Sequence, residues 1–192
     1  MRIVGGEWRG RMLEAPRGRE VSRPTTDRVR EAMASMVDSA LDGGIAGARV
    51  LDAFGGTGAL GIEMLSRGAE YAAFFDIDRG AAALIKRNLQ KLGCDTARYR
   101  VMTGDAAQSA RRGRVPGAPF DLVLMDPPYA LGTAPAEALL STLVEHDLLA
   151  PGAVALFERS ATETPALAVP NFTTIREKRY GSTAVDLLRY EP

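Results

Sequence analysis

The tetrad Asp126-Pro127-Pro128-Tyr129 is the most specific chemical signal in this chain, and it follows directly on an apolar run at 120–125. Proline lacks a backbone N–H group and stiffens a loop, so the Asp126 carboxylate and the Pro127 carbonyl oxygen are presented as fixed hydrogen-bond acceptors. Tyr129 adds a flat aromatic face beside them. Two acceptors next to a ring suit the exocyclic amino group of a nucleobase, whose lone pair is delocalised into the base and is a poor nucleophile.

The four residues of the tetrad are therefore predicted to be catalytic. Hydrogen bonds from the amine to Asp126 and to the Pro127 carbonyl favour a pyramidal nitrogen and stabilise the positive charge that develops as the nitrogen accepts a methyl group. The base stacks on Tyr129 after it has left its own stack. Alignment then supplies much of the rate, and no covalent nucleophile is needed. A proline turn closed by an aspartate cap is the alternative without chemistry.

A glycine-rich loop at 55–61 forms the second candidate site. Gly56, Gly58 and Gly61 match the pattern G-x-G-x-x-G, which lets a ligand approach the backbone at the N-terminus of a helix. Asp52, just before the loop, is poorly placed for a pyrophosphate but attracts a cationic amino group. S-adenosyl-L-methionine carries an ammonium and a sulfonium, so the combination favours this cofactor over a dinucleotide. A tight turn between a strand and a helix is the alternative.

Two further acids extend the predicted cofactor site. Asp76 ends the run at 71–75, where a carboxylate accepts hydrogen bonds from both ribose hydroxyls. Asp105 and the backbone N–H of Ala106 are placed to pair with the amino edge of adenine. The complete set predicted to bind the cofactor is Asp52, Phe54, Gly55, Gly56, Gly58, Asp76, Asp105 and Ala106.

The elements that position these residues alternate between strands and helices. Short apolar runs predict strands at 50–51, 71–75, 99–102, 120–125 and 153–157, and helical spacing predicts helices at 60–65, 81–92 and 136–144. This repeated βα organisation predicts an α/β fold with a mostly parallel sheet, in which the loops after the strands meet at one crevice. After Pro170, two extended runs flank residues 180–182 and predict an antiparallel closing hairpin.

The N-terminal segment differs from the rest of the chain in charge. Residues 1–30 hold eight arginines and four acids, although the whole chain has a net charge of zero. Two short apolar runs around Gly5-Gly6 predict a small hairpin arm. A polar connector then leads to a helix of about four turns, capped within Thr25-Thr26-Asp27. The predicted division is an arm and connector at 1–24 and a domain at 25–192.

The basic arm is predicted to contact the phosphates of a nucleic acid. A solvated arginine-rich face without a partner is the alternative. Trp8 either packs the arm against the sheet, which is favoured, or stacks on a base. The residues predicted to contact nucleic acid are Arg2, Arg9, Arg11, Arg23, Thr25, Arg28 and Arg30.

The composition excludes several classes of protein. With 192 residues, 46% hydrophobic and 25% charged, the chain is expected to form one folded domain. Its longest stretch without a charged residue is 164–175, too short to span a bilayer, and the N-terminus lacks an apolar signal, so a cytoplasmic protein is expected. A single cysteine, Cys94, and a single histidine, His146, argue against disulfides and zinc, and no metal site is predicted.

The chain resembles the bacterial RsmD family, whose members methylate N2 of one guanine in 16S ribosomal RNA. The resemblance covers nearly the whole chain. It is seen in residues 2–11, 23–32 and 179–183, in the glycine loop and in the tetrad. It implies a class I S-adenosylmethionine-dependent methyltransferase fold, Rossmann-like, with a mostly parallel seven-stranded sheet and an N-terminal β-hairpin arm. It also implies 16S ribosomal RNA as the partner, within an assembled or assembling small subunit, and a monomeric enzyme.

Two departures from the RsmD pattern bear on the cofactor. The loop has Phe54-Gly55-Gly56-Thr57-Gly58 where the family often has Ala-Gly-Ser-Gly. The predicted ribose ligand is Asp76 where a longer glutamate is common. Both concern the geometry of the cofactor pocket and leave the amine chemistry as predicted.

Four other functions are alternatives to methylation of a ribosomal RNA amine. A DNA adenine-N6 methyltransferase would use the same tetrad, but the chain leaves no room for a separate domain that reads DNA bases. A nicotinamide oxidoreductase shares the glycine pattern and leaves the tetrad unexplained. Cytosine C5 methylation needs a thiolate, and Cys94 is predicted at the opposite sheet edge. A non-catalytic RNA-binding module has no need of Asp126.

Overall fold

The computed structural model describes residues 1–15, 26–162 and 165–192. Arg23 and Thr25, both predicted to contact nucleic acid, lie outside these ranges. The strands in the described part of the chain are β1 (Arg49–Asp52), β2 (Tyr71–Asp76), β3 (Tyr99–Thr103), β4 (Phe120–Met125), β5 (Leu149–Ser160), β6 (Phe172–Tyr180) and β7 (Thr183–Tyr190). The α-helices there are α1 (Asp27–Ala40), α2 (Ala59–Ser66), α3 (Arg79–Leu92), α4 (Ala106–Arg111) and α5 (Ala134–Glu145).

The strands form one seven-stranded sheet in the order β3-β2-β1-β4-β5-β7-β6. Strands β1 to β5 pair in parallel, and β7 lies antiparallel to both of its neighbours. The predicted parallel sheet and closing hairpin are both confirmed. The strand order reverses between β1 and β4, and ligands of open α/β sheets bind at such a point, outside the carboxyl ends of the strands.

Two apolar layers enclose the sheet. Alternate strand residues point to opposite faces, so Val50 and Leu124 pack with α1, α2 and α3, while Leu51 and Met125 pack with α4 and α5. The short α4 escaped prediction because its six residues are too few to display a helical period. Asp78 caps α3 by accepting the N–H of Gly80 at 2.6 Å. No helix in the described residues has both the length and the apolar character to cross a membrane.

The N-terminal arm, residues 1–15, folds back on itself through a single antiparallel bridge between Arg2 and Met12. It forms no regular strand, because the segment between these residues is a series of turns. Ile3 and Trp8 are 1% and 5% exposed and belong to the same core as α1, α2 and α3. The packing of Trp8 is thus confirmed, and its burial removes the alternative of stacking on a base.

Polar side chains of the helices fasten the arm. The Ser66 hydroxyl accepts the backbone N–H of Trp8 at 2.9 Å and donates to the Gly5 carbonyl at 2.6 Å. The fully buried Asn88 accepts the N–H of Glu14 at 2.8 Å and donates to the carbonyl of Thr57, in the glycine loop, at 3.1 Å. One side chain of α3 therefore holds both the arm and the glycine loop.

A buried ion pair joins β5 to β7. Arg159 donates from Nε and Nη2 to the two carboxylate oxygens of Asp186, at 2.7 and 3.1 Å. These side chains are 4% and 1% exposed. Glu177 of β6 approaches the same guanidinium at 3.2 Å from the surface, where it is 39% exposed. The bidentate geometry fixes the pairing of the strands that carry one wall of the site.

Candidate active site

Acidic residues mark the carboxyl ends of five adjacent parallel strands. Asp52 and Asp76 are the last residues of β1 and β2, Asp105 follows β3 by two residues, Asp126 directly follows β4, and Glu158 lies near the end of β5. Because these strands run side by side, their ends share one edge of the sheet. Four of the five acids, all except Asp52, line a single cavity of about 720 Å³.

The cavity brings together most of the predicted catalytic and cofactor residues. From the tetrad, Asp126, Pro127, Pro128 and Tyr129 all line it, and from the cofactor set, Phe54, Gly56, Asp76, Asp105 and Ala106 do so. Its other lining residues include Ile77, Leu131, Leu139 and Glu158. A mostly apolar cavity with a few convergent polar groups is the usual form of a site for a small molecule.

The tetrad forms one wall of the cavity. Pro127 is buried beneath it, and Tyr129 begins a short 3₁₀ turn at the rim. The Tyr129 hydroxyl donates to Oε1 of Glu158 at 3.2 Å and shares a hydrogen bond of 3.0 Å with the Thr183 hydroxyl. Side chains of β5 and β7 therefore hold the hydroxyl end of the ring and fix its orientation.

Glycine is required in the loop for two different reasons. Gly56 and Gly58 adopt φ values of +55° and +80°, which L side chains rarely adopt. Gly61 has no such conformation, but a Cβ there would lie 2.4 Å from the Phe74 ring. Gly55 is equally crowded, with Ile85 at 2.6 Å. The loop thus faces the cavity through Gly56, while Gly55, Gly58 and Gly61 pack it against the sheet and α3.

Asp52 lies behind the loop instead of on the cavity wall. It is 3% exposed, and its Oδ2 accepts the N–H of Gly61 at 3.1 Å. The carboxylate therefore stabilises the start of α2 in this structure. Burial is the main cause that raises the pKa of Asp52 to about 7, and the charge of Asp76 adds to it.

Replacement of Asp52 by asparagine is expected to flatten the pH dependence of stability. The folded chain keeps the Asp52 proton to about pH 7, whereas the unfolded chain loses it near pH 4, about the ordinary pKa of aspartate. The stability that comes from the Asp52 proton is thus fully present below that pH. It is lost as the pH rises towards 7, which lowers the free energy of unfolding by up to about 4 kcal/mol. Urea unfolding of both proteins from pH 4 to 8 should show the Asp52→Asn protein gaining stability relative to the wild type across this window. Parallel curves would contradict the assignment.

Asp76 connects the glycine loop to the next strand end. Its Oδ2 accepts the N–H of Gly56 at 2.8 Å and its Oδ1 accepts the N–H of Asp78 at 2.8 Å. Each oxygen of a carboxylate has a second lone pair, so both can also accept from a diol in the cavity. Asp105 caps α4 by accepting the N–H of Gln108 at 2.7 Å, which aligns the start of that helix with the cavity.

The Asp126 carboxyl is half-buried on the wall of the cavity, which it shares with other acids. Burial raises the pKa of this group well above its usual range, and the charges of Glu158 and Asp52 act in the same direction. Burial also raises the pKa of Tyr129 to about 12, so its hydroxyl keeps its proton at neutral pH. The site is strongly acceptor-rich and suits a ligand that brings N–H donors.

Several cavity residues were not predicted from the sequence, and Glu158 and Ile77 are the two that the chemistry of the site uses. Glu158 is 4% exposed on β5, and the signal that identified Asp126, an acid after an apolar strand, applies equally to Glu158 after 153–157. Ile77 is 78% exposed and lines the cavity between two acids. No sequence pattern identifies an isoleucine directly after Asp76 as a site residue. Only the fold shows that it lines the cavity.

The predicted phosphate contacts divide into exposed and buried arginines. Arg2, Arg9, Arg11 and Arg28 are exposed. Arg30 is not: it is 2% exposed, and its guanidinium donates to the Arg2 carbonyl at 2.8 Å and to Asp27. The prediction for Arg30 was therefore wrong, because the packing of the arm over α1 turns this residue into a structural tie.

Comparison with known proteins places the chain in a family. The family model described as conserved hypothetical protein 95 matches residues 1–189. The ribosomal RNA small subunit methyltransferase D of Escherichia coli strain K12 is 35% identical over 100% of this chain and 90% of that protein. The chain belongs to the RsmD family. The resemblance seen in the arm, the glycine loop and the tetrad is thereby confirmed.

Other RsmD-like proteins support the same assignment. The Haemophilus influenzae protein of the same name is 34% identical and covers 94% of this chain and 89% of its own length. The solved structure described as "Putative methyltransferase yhhF from Escherichia coli" has a TM-score of 0.82 and 32% identity, over 100% of this chain and 98% of that one. This structural similarity and the strand order together confirm the predicted class I methyltransferase fold.

Proposed function

We propose that this RsmD family member transfers the methyl group of S-adenosyl-L-methionine to the exocyclic N2 amine of one guanine in 16S ribosomal RNA. The observation that carries the proposal is the shared cavity, which Gly56 of the glycine loop and the Asp126 tetrad both line at the switch point of the sheet. Relatives that match over nearly their full length are ribosomal RNA small subunit methyltransferases by name.

The residues of the cavity fit the cofactor. A Cβ on Gly56 would have no atom closer than 3.9 Å, so the loop leaves open space for the methionine part of the cofactor. Asp76 offers two oxygens to a ribose diol, and the exposed Ile77 offers an apolar surface to adenine. The ammonium of the cofactor would lie near the loop, with Asp52 behind it. When bound, S-adenosyl-L-methionine supplies an electrophilic methyl group on its sulfonium.

The tetrad prepares the amine for this methyl group. Asp126 and the Pro127 carbonyl each accept one N–H of the amine, which draws the nitrogen out of the plane of the base and localises its lone pair. Positive charge then develops beside a carboxylate in a water-poor site, where the interaction is strong. The raised pKa of Asp126 also makes it a better acceptor for the proton that the amine loses than an ordinary aspartate.

The substrate is tested by transfer of labelled methyl from S-adenosyl-L-methionine to three acceptors. These are unmodified small ribosomal subunits, naked 16S ribosomal RNA and duplex DNA, each followed by nucleoside analysis. N2-methylguanosine from the subunits, or from subunits and RNA, supports the proposal, and the first result identifies a folded particle as the substrate. N6-methyladenine in DNA would overturn the proposed substrate and leave the tetrad chemistry in place, because the same acceptors bind the adenine amine.

The exposed arginines of the arm and α1 are proposed to contact RNA phosphates. Replacement of Arg9 and Arg28 by glutamine is expected to weaken RNA binding and to reduce the slope of log K against log salt by about 0.7–0.9 per lost contact. The measurement is a salt titration of binding by fluorescence anisotropy. Arg111 and Arg112, which are also exposed but lie at the C-terminal end of α4, far from the arm in sequence, serve as the matched control pair. An unchanged slope in the Arg9 and Arg28 double variant would contradict the proposal.

A further inference from the structure

Glu158 faces the active-site cavity beside Asp126. Strands β4 and β5 pair in parallel with Met125 opposite Phe157, and Asp126 and Glu158 each follow by one residue. Neighbouring strands lie about 4.8 Å apart, so the two acids are side by side at the same strand edge. Both line the cavity, and Glu158 is 4% exposed. The amine chemistry of the tetrad leaves this second carboxylate without a role.

Glu158 is held in a defined orientation. Its Oε1 accepts the Tyr129 hydroxyl at 3.2 Å, and that hydroxyl is also bound to Thr183. The residue on which the base is proposed to stack is thus tied directly to Glu158. A carboxylate in this place lies at the rim of the ring, where the edge of a base that stacks on the ring comes within its reach.

The purine edges differ in what they offer to two adjacent acceptors. Guanine presents the N2 amine next to N1–H, which are two donors side by side. Adenine, and purines such as 2-aminopurine, present an amine next to an unprotonated N1, which is an acceptor. A carboxylate opposite such an N1 faces a lone pair in place of a donor, and this arrangement is strongly unfavourable.

We propose that Glu158 accepts the N1–H of the target base and thereby selects guanine over purines whose N1 carries no proton. The inference rests on the proposed function and assigns Glu158 as the residue that determines the base. Asp126 engages the N2 amine and Glu158 engages the neighbouring N1–H, so two adjacent acceptors meet two adjacent donors. The donors of guanine also relieve the repulsion between the two acids, which no purine with an unprotonated N1 does as well.

The test compares guanine with 2-aminopurine at the methylated position. The substrate is the RNA or particle that accepts methyl in the transfer assay, with that one guanine replaced by 2-aminopurine, which keeps the N2 amine and lacks N1–H. The wild type is expected to prefer guanine by at least about 100-fold in kcat/KM. The amide N–H of Gln can donate to an unprotonated N1, so Glu158→Gln is expected to lower this preference by at least about 10-fold.

The preference is a ratio within one variant, so partial loss of folded protein cancels from it. An unchanged preference, with both substrates slowed equally, would overturn the inference and leave Glu158 a structural residue. Tyr129→Phe keeps the ring and removes the hydroxyl that binds Glu158, and it is expected to retain more of the preference than Glu158→Gln does. An equal loss in Tyr129→Phe would overturn the inference in favour of a role through Tyr129. Absence of methylguanine from unsubstituted RNA would overturn the proposed function itself.

Discussion

Asp126→Ala is expected to abolish methyl transfer, and Asp126→Asn to lower kcat by about 10²–10³-fold. Asparagine keeps the shape and one acceptor oxygen but carries no charge, so it loses the stabilisation of the positive nitrogen and the capacity to take its proton. Asp126 directly follows β4, whereas the residues predicted to bind the cofactor follow or end β1, β2 and β3. The effect should therefore fall on the chemical step and not on the affinity for S-adenosyl-L-methionine.

Two measurements separate an effect on the chemical step from an effect on the affinity for the cofactor. Single-turnover transfer gives the rate of chemistry, and calorimetric titration with S-adenosyl-L-methionine gives the affinity for the cofactor. Asp121→Asn is the matched control, because Asp121 lies near the other end of the same strand and accepts the backbone N–H of Arg49 at 2.8 Å. The control should retain the wild-type rate. Wild-type transfer by Asp126→Asn would exclude the proposed role of the carboxylate.

Asp186→Asn is expected to be the most destabilising conservative change in the sheet, at about 3–5 kcal/mol of unfolding free energy. Arg159 is 4% exposed and donates to both carboxylate oxygens of Asp186. Removal of the negative charge leaves the guanidinium buried beside a neutral amide. The surface carboxylate of Glu177, at 3.2 Å from Arg159, remains screened by solvent and compensates only in part.

Urea unfolding provides the measurement, with the midpoint and the slope compared between variants. Glu177→Gln is the matched control: it removes a carboxylate from the same guanidinium at a position that is 39% exposed, and it should cost at most about 1 kcal/mol. Equal costs for the two variants would mean that the buried pair contributes no more than a surface contact.

The acidic residues at the strand ends could be predicted from the sequence because each of them follows an apolar run. Asp76 and Asp126 were placed in this way, and the parallel organisation then placed them at one edge of the sheet. Glu158 obeys the same rule but lies within the longer strand β5, so the predicted end at 157 stopped one residue short of it. The charged continuation of β5 is buried only because Asp186 arrives from β7, which lies far away in sequence.

Burial set by tertiary contacts accounts for the other differences. Arg30 occupies an ordinary helical position, and its burial depends on the arm that packs over α1. Asp52 was predicted to attract the cofactor directly, and its side chain instead turns to the Gly61 N–H at the start of α2. For Arg30 the deciding contact comes from the arm, 28 residues away in sequence, and for Asp52 it comes from a backbone N–H nine residues further on.

The outermost strand, β6, has consequences for how copies of this protein meet. It lies at the edge of the sheet, and nearly all of its residues are exposed. Such an edge offers unpaired backbone groups to any passing strand and is a common starting point of aggregation. Here the edge carries Arg176, Glu177, Lys178 and Arg179 in succession. Charged side chains on an edge strand disfavour pairing with a further strand, so these residues protect the exposed edge of the sheet.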